Sequence, residues 1–329
     1  MALNLAKMPA YISRVTSGNN FLGRAILEST TIDLLSRATD SFHPNIKGTE
    51  AIDLLDSTVE LQDGTISGLD DGKNNFEFDH ITITPKNIKT THKMNQFQLE
   101  KTWLKFGLKA GQHYTELAFA SDLVEHFAAK VAEVNEKLLW LGDTASSDVN
   151  MKQTDGFIKR VKASNAVDLT SYLTGGTILR KLRSAYLAID EVVRQKDDFR
   201  LIISMGVYAL IAGDTFDLNL FKAADENYLP GTQCRIEIAS GLAGTNFALF
   251  TRMQGLHAGT DLLSDLTYIK SEYGNITELL YLNARYTLGT AIAYPEEMAH
   301  VDLSAAVGGD VEAAGAQVLA AKTTTTAKA

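Results

Sequence analysis

Residues Asp122 to Gly142 read DLVEHFAAKVAEVNEKLLWLG. Leu123, Val124, Phe127, Val131, Val134, Leu138 and Leu141 recur at threes and fours, the apolar period of a helix lying on a core. Glu125, Lys130, Glu133, Glu136 and Lys137 fall between them and keep the opposite face wet. The spacing predicts one helix over 122–141, a rod on the order of 30 Å long. Asp122 and Glu125 read as a capping box at its start, and Gly142 as the left-handed residue that ends it.

Upstream of this rod the charge is lopsided. Residues 86–110 hold six lysines against Glu100, and residues 53–79 hold eight acids against Lys73. The acidic stretch also carries hairpin signals. Leu61-Gln62-Asp63-Gly64 and Asp70-Asp71-Gly72 read as turns, and Phe76, Phe78, Ile81 and Ile83 alternate with polar residues. The alternation slips phase at His80, which predicts a bulge. Exposed ion pairs contribute little, so the charge contrast has two readings: a solvated surface, or complementary surfaces on two subunits. On the second reading Asp63, Asp70, Asp71 and Lys73 of the hairpin and Lys86, Lys89 and Lys93 of the basic strip are the inter-subunit contacts. Before the hairpin, residues 1 to about 50 are broken by Gly18, Gly23, Pro44 and Gly48, and only Ser29–Ala38 could hold a short helix. An arm this loosely patterned needs something outside itself to hold it, and a neighbouring subunit is the simplest holder.

Downstream of the rod comes a polar loop, then an expected short strand over Phe157–Val161. A second amphipathic helix is predicted from Thr177 to about Gln195, with Thr177 as its cap. Phe199–Ser204 reads as a buried strand leading into the short helix GVYALIAG. From Arg235 on, RIEIA, NFALFTRM, LTYIKSEY and LLYLNARYTLGTAIAY alternate with turns as strands. Helices and strands are mixed without a strict alternation, so the fold class is α+β and not a doubly wound sheet. Residues 304–329 form an alanine- and threonine-rich tail.

Composition narrows the function. At 329 residues the chain can bury a sizeable core, and no apolar run approaches the roughly 18 residues of a membrane span. The opening MALNLAKMPAYISRV lacks the pattern of a secretory signal, so no membrane partner is expected. The net charge of -9 argues against wrapping nucleic acid with cations, but not against lining a space that holds it. The single Cys234 excludes an internal disulfide and a cysteine-only zinc site, and reads as a small buried hydrophobe. Gly64 to Gly68 followed by Lys73 has the wrong spacing for a phosphate loop. His113 and Glu116 share a helical spacing but lack a second pair for a metal. No catalytic, metal or cofactor residue is assigned, and no enzyme is expected.

The order of elements is now informative: loose arm, charged hairpin, one long helix, polar loop, second helix, strand-rich module and return segment. The helix closes on Glu136, Leu138, Leu139, Trp140, Gly142 and Asp143, and the loop leads to Gly156, Phe157 and Ile158. FRLIISMGVYALIAG follows, then Ala284-Arg285-Tyr286 and Ala291-Ile292-Ala293-Tyr294. This resembles the tailed-phage major capsid proteins of the Hong Kong 97 type, with Thr144 in place of a usual glycine. The resemblance covers about residues 50–300 by order and pattern.

That resemblance implies an N-terminal arm (1–50), an extended loop and approach to the spine (51–110) and a peripheral domain (111–199) with its spine helix at 122–141. It further implies an axial domain (200–285), a return strand of the peripheral domain (286–303) and a C-terminal tail (304–329). The implied function is structural. Homo-hexamers and homo-pentamers would close an icosahedral shell around double-stranded DNA, without sequence-specific binding, after assembly in the host cytoplasm. Implied partners are a portal, a separate scaffolding protein and optional decoration proteins. Two alternatives remain open: an encapsulin-like compartment with enzyme cargo, and an α+β ligand-binding protein or enzyme.

Overall fold

The computed structural model describes residues 29–37, 41–58, 75–95, 116–173, 176–217, 227–261, 268–274, 277 and 279–304. Its first elements are helix α1 (Thr30–Arg37), strand β1 (Phe42–His43), the hairpin strands β2 (Glu50–Thr58) and β3 (Asn75–Ile83), and β4 (Lys86–Asn95). The spine helix α2 (Glu116–Leu141) follows, then α3 (Phe157–Ala163), β5 (Val167–Asp168), α4 (Ile178–Ala188), α5 (Glu191–Arg194), β6 (Phe199–Ile203) and α6 (Met205–Asp217). The rest is strand: β7 (Arg235–Ile238), β8 (Phe247–Arg252), β9 (Leu256–Gly259), β10 (Tyr268–Gly274), β11 (Leu279–Ile292) and β12 (Ala299–Asp302).

Strand β11 organises the first sheet. Residues 279–288 pair antiparallel with β4, residues 279–285 with β10 and residues 289–292 with β9, which carries β1 in parallel. Leu280, Leu282, Ala284, Tyr286 and Leu288 are buried while their odd-numbered neighbours through Thr287 are half-buried, the period-2 signature of a sheet with one covered face. That covered face packs against Val124, Phe127, Val131 and Leu138 of the spine.

The second sheet has the order β5-β12-β8-β6-β7 and mixes parallel and antiparallel pairs. It is the wall between two cores. Ile202, Phe247 and Leu249 point into the spine core, while Leu201, Ile203, Ala248 and Phe250 point into a second core under α4 and α6. A sheet covered on both faces needs strands apolar at successive positions, which is why Leu201–Ile203 and Phe247–Phe250 are continuous apolar runs.

Several local expectations change. The spine begins at Glu116, so Asp122 and Glu125 lie inside it and do not cap it. Gly142 ends the helix without a left-handed backbone, since among the described residues the glycines with positive φ are Gly48, Gly231 and Gly244. It is there for space: a Cβ would collide with the carbonyls of Thr154 and Leu138, and its own carbonyl accepts from Gly156 N at 2.8 Å. Phe157–Ala163 is a helix, not a strand, because Phe157 and Val161 are buried four residues apart. The helix expected over Thr177–Gln195 is broken: Thr177 caps α4 as predicted, but Ile189 is extended and Asp190 caps α5 through Val192 N. The β2/β3 register runs unbroken from Glu50↔Ile83 to Thr58↔Asn75, so there is no bulge at His80.

The arm also differs from expectation within residues 29–46. It is held by its own chain: Ile32 and Leu35 enter the spine core, and Ile46 packs with Ile83 and Ala291. The division expected at 285/286 falls inside β11, and Ala299–Asp302 belongs to the second sheet beside β8.

Candidate assembly surfaces

Among the described side chains of the spine one carboxylate is buried, Glu136, and it ties three parts of the chain together. Ser29 Oγ donates to it at 2.5 Å, Thr30 Oγ1 at 2.9 Å and Thr31 N at 3.2 Å, with Thr31 Oγ1 also donating. Gly241 N reaches it from the loop before β8 at 3.4 Å. One turn on, Trp140 is fully buried and its Nε1 donates to Thr31 Oγ1 at 2.6 Å. A buried carboxylate is tolerated only when hydrogen-bonded, and here hydroxyls and backbone amides do that work. Gly241 has no room for a side chain, because a Cβ would meet the Glu136 carbonyl and the Trp140 ring. Arm helix, spine and loop therefore form one clasp.

The spine exit is a second polar cluster, closer to solvent. Lys159 Nζ bridges Asp155 at 2.6 Å and Asp143 at 2.7 Å, and Thr144 donates to Asp155 from both N and Oγ1 at 2.9 Å. Burial works to raise the Asp155 pKa, but the hydrogen bonds from Lys159 and Thr144 outweigh it and hold the carboxyl down at about 2.

The hairpin points the other way. Its antiparallel register places Leu55 opposite Phe78 and Ile52 opposite Ile81. Because side chains alternate, Leu55, Phe76 and Phe78 share one face, while Ile81 and Ile83 share the other. The second set is inside: Ile83 is buried with Ile46 and Ala291, and Ile52 and Ile81 pack against them. The first set is outside, with Leu55 55%, Phe76 66% and Phe78 79% exposed. The phase slip at His80 is this change of face. The proximal half of the hairpin is apolar toward its own subunit, and the distal half is apolar away from it.

Of the predicted contact residues, Asp63, Asp70, Asp71 and Lys73 lie outside the described residues. Lys86, Lys89 and Lys93 are exposed on β4, but not as one strip. Alternation puts Lys89 and Lys93 on the outer face of the sheet and Lys86 on the face of Ile88. The sheet adds cations that the linear sequence keeps far apart: Lys89 pairs with Arg285, and Lys270 pairs with Asn283 on the same outer face. The same register places Glu272 opposite Tyr281, itself opposite Lys93, so one acid shares this face with the cations. Lys89, Lys93, Lys270 and Arg285 against Glu272 leave the outer surface with an excess of cations, and Thr91 donates to Asn283 at 2.6 Å between them. Arg285 and Lys270 were missed in the sequence because their strands lie nearly two hundred residues from β4; the half-buried alternation of β11 was their one local signal.

The other candidate chemistry resolves simply. Cys234 is buried, and burial pushes its thiol up to about 12, so it is no nucleophile at neutral pH. Among the described residues no group of three His, Cys, Asp or Glu could hold a metal, and no helix is long and apolar enough to cross a membrane.

No family model and no curated protein matches the chain. Solved structures do. The Gordonia phage Cozz structure superposes with a TM-score of 0.55 at 12% identity, over 83% of this chain and 86% of that one. The satellite phage P4 procapsid with its size determination (Sid) protein gives 0.53 at 10% identity, over 83% and 89%. The capsid of the empty GTA particle gives 0.51 at 14% identity, over 81% and 88%. This chain has the α+β fold of phage capsid proteins. At these identities it is the fold, and not any particular residue, that is shared.

Proposed function

We propose that the chain is the structural subunit of a tailed-phage shell with the Hong Kong 97-type layout, and not an enzyme. Copies join as hexamers and pentamers into an icosahedral capsid that encloses double-stranded DNA. In this reading β2 and β3 begin the extended loop, the spine helix and the β4–β11 sheet form the peripheral domain, and the second sheet with α4 and α6 forms the axial domain. A portal and a separate scaffolding protein join during assembly in the host cytoplasm. The net charge of -9 suits a protein that retains DNA by enclosure.

The observation that carries the reading is the change of face along the hairpin. Leu55, Phe76 and Phe78 are displayed together on an acidic projection, a poor arrangement for a subunit that works alone. Burying them against a neighbour would contribute roughly 1.5–3 kcal/mol each. The cationic outer face of the β4–β11–β10 sheet supplies a surface of complementary charge on the next copy. The test is a double substitution, Phe76→Ser with Phe78→Ser. The subunit should keep its circular dichroism and unfold within about 0.5 kcal/mol of the parent, while closed particles disappear from electron micrographs. Normal shells from the double variant would sink the hairpin contact. The contents of wild-type particles, nucleic acid or protein, separate a capsid from a cargo compartment.

A further inference from the structure

Strand β12 lies between β5 and β8, and its register sets His300 opposite Asp168 on one side and Leu249 on the other. Because side chains alternate, Ala299, Val301 and Leu303 enter the second core while His300 faces the other way, with Phe247. The imidazole is only 8% exposed and stacks on the Phe247 ring, 5.8 Å between centroids at 22°. Its Nδ1 is buried and has no hydrogen-bond partner among the described residues. Its Nε2 is 3.9 Å from Asp168 Oδ1, too far for a hydrogen bond. Among the described residues three charged groups bear on the ring: Asp168 from β5, Lys162 from α3 and Asp302 from its own strand. Strand β8 brings Phe247 and Leu249 to that face and no charge. Lys162 Nζ lies over the same Phe247 ring, 5.6 Å from its centroid, and 4.0 Å from Asp302.

A neutral imidazole suits this place and an imidazolium does not. Both nitrogens of the charged ring are donors, so Nδ1 would then hold a buried proton with no acceptor. Asp302 is already shared with Lys162. Hydrogen bonds from Thr170 hold Asp168 below the ordinary carboxylate value, so it stays charged, but its side chain is 63% exposed and attracts the ring outward. Burial accordingly holds His300 below its ordinary value of 6.5, against the pull of Asp168. The backbone across this seam is thin: Val167 N donates to Met298 O and Leu169 N to His300 O, both at 2.9 Å. We propose that His300 is an acid-operated latch, which closes the seam between β12 and β5 while uncharged and opens it by swinging toward Asp168 when protonated. The closed seam binds a proton less readily than the open one, so the latch holds in full above 6.5 and weakens as pH falls below it. The device belongs to the folded subunit and does not rest on the shell reading.

Amide hydrogen exchange of the full chain, followed by NMR and corrected for the intrinsic effect of pH, reads the seam at Val167 and Leu169. Protection of these two amides should fall about fivefold to tenfold between about pH 7.5 and about pH 5.5, while amides within the spine hold theirs. His300→Gln should lose that dependence. His300→Phe, which keeps a ring on Phe247, should lose it too and guards against a folding defect in the first variant. Lys162→Met removes a charge that opposes protonation and should make the fall shallower, which a merely structural histidine would not produce. In the parent the His300 ring resonances should titrate below 6.5. Titration at or above that value overturns the latch. An equal fall in the parent and both His300 variants overturns it as well, as does no fall in the parent.

Discussion

The spine helix and the distal hairpin are both amphipathic, and they finish their apolar faces in opposite ways. On the spine, Val124, Phe127, Leu138 and Trp140 are covered by strands of the same chain, and the carboxylate of Glu136 is met by hydroxyls and amides from residues 29–31 and 241. On the hairpin, Leu55, Phe76 and Phe78 face solvent from one side of a two-stranded ribbon. An isolated two-stranded ribbon is marginal in water, and its proximal half is stabilised here by Ile46, Ile83 and Ala291. The difference teaches where the folding problem of the single chain ends. The clasp is complete in one copy, whereas on the shell reading proposed above another surface would complete the distal hairpin.

The sharpest way to break this comparison is to damage the clasp. Trp140→Ala removes a fully buried indole that contacts Phe157 at 5.3 Å between centroids, and it strips Thr31 of its donor. The expected loss is about 3–5 kcal/mol of subunit stability, read by denaturant unfolding of the unassembled chain. That is the opposite signature to the hairpin double variant, which should spare the subunit and abolish shells. If Trp140→Ala unfolds no more easily than the parent, the clasp is not what holds arm, spine and loop together.

Next in size is the cationic face. Lys89→Glu with Lys93→Glu reverses two exposed charges on the outer side of the sheet, where neither side chain enters the core. Subunit stability should shift by no more than about 0.5 kcal/mol, while assembly slows and loses its dependence on salt concentration, because screened charge attraction is what the wild-type surface offers. Lys86→Glu is the internal control. It lies on the other face of the same strand, so it should assemble nearly as the parent does. Equal effects from all three lysines would argue against a face-specific contact.

Much of this architecture was legible because its signals are local. The spine, the arm helix, the hairpin and the strands at Phe199, Phe247 and Leu279 each carry a periodicity set by the core they touch. What was illegible is what depends on partners distant in sequence. Glu136 reads as part of a wet face, since nothing near it announces that Ser29, Thr30, Thr31 and Gly241 will surround it. The change of face at His80 mimics a bulge, because one strand cannot say whether its apolar residues switch sides by an inserted residue or by a change of neighbour. Phe157–Ala163 misleads by its brevity, as a buried pair four residues apart fits a single helical turn as well as a short strand. The basic strip divided in two for the same reason: a run of lysines read in a line lands on both faces once alternation applies.

The smallest effect expected lies at the junction of the two regimes, where the spine exit is half in solvent. Asp155 is held at about 2 against an ordinary value of 3.8, burial being outweighed by Lys159 and Thr144. A depressed carboxylate binds its proton less readily in the folded state than in the unfolded one, so its contribution is present in full above the unfolded value. It is lost as pH falls from there through the folded value near 2. The Asp155 side chain is 31% exposed and its Lys159 partner 37%, so solvent screening limits the gain to about 1 kcal/mol or less. Asp155→Asn should therefore cost a little stability at neutral pH and nothing near pH 2, narrowing the acid limb of the unfolding curve. Thermal melts of parent and variant should converge as pH falls. Parallel curves down to pH 2 would mean that the charge on Asp155 contributes nothing and that Thr144 alone shapes the loop between spine and α3. The exit would then behave like the hairpin, a surface whose groups wait for a partner, and not like the clasp two turns earlier on the same helix.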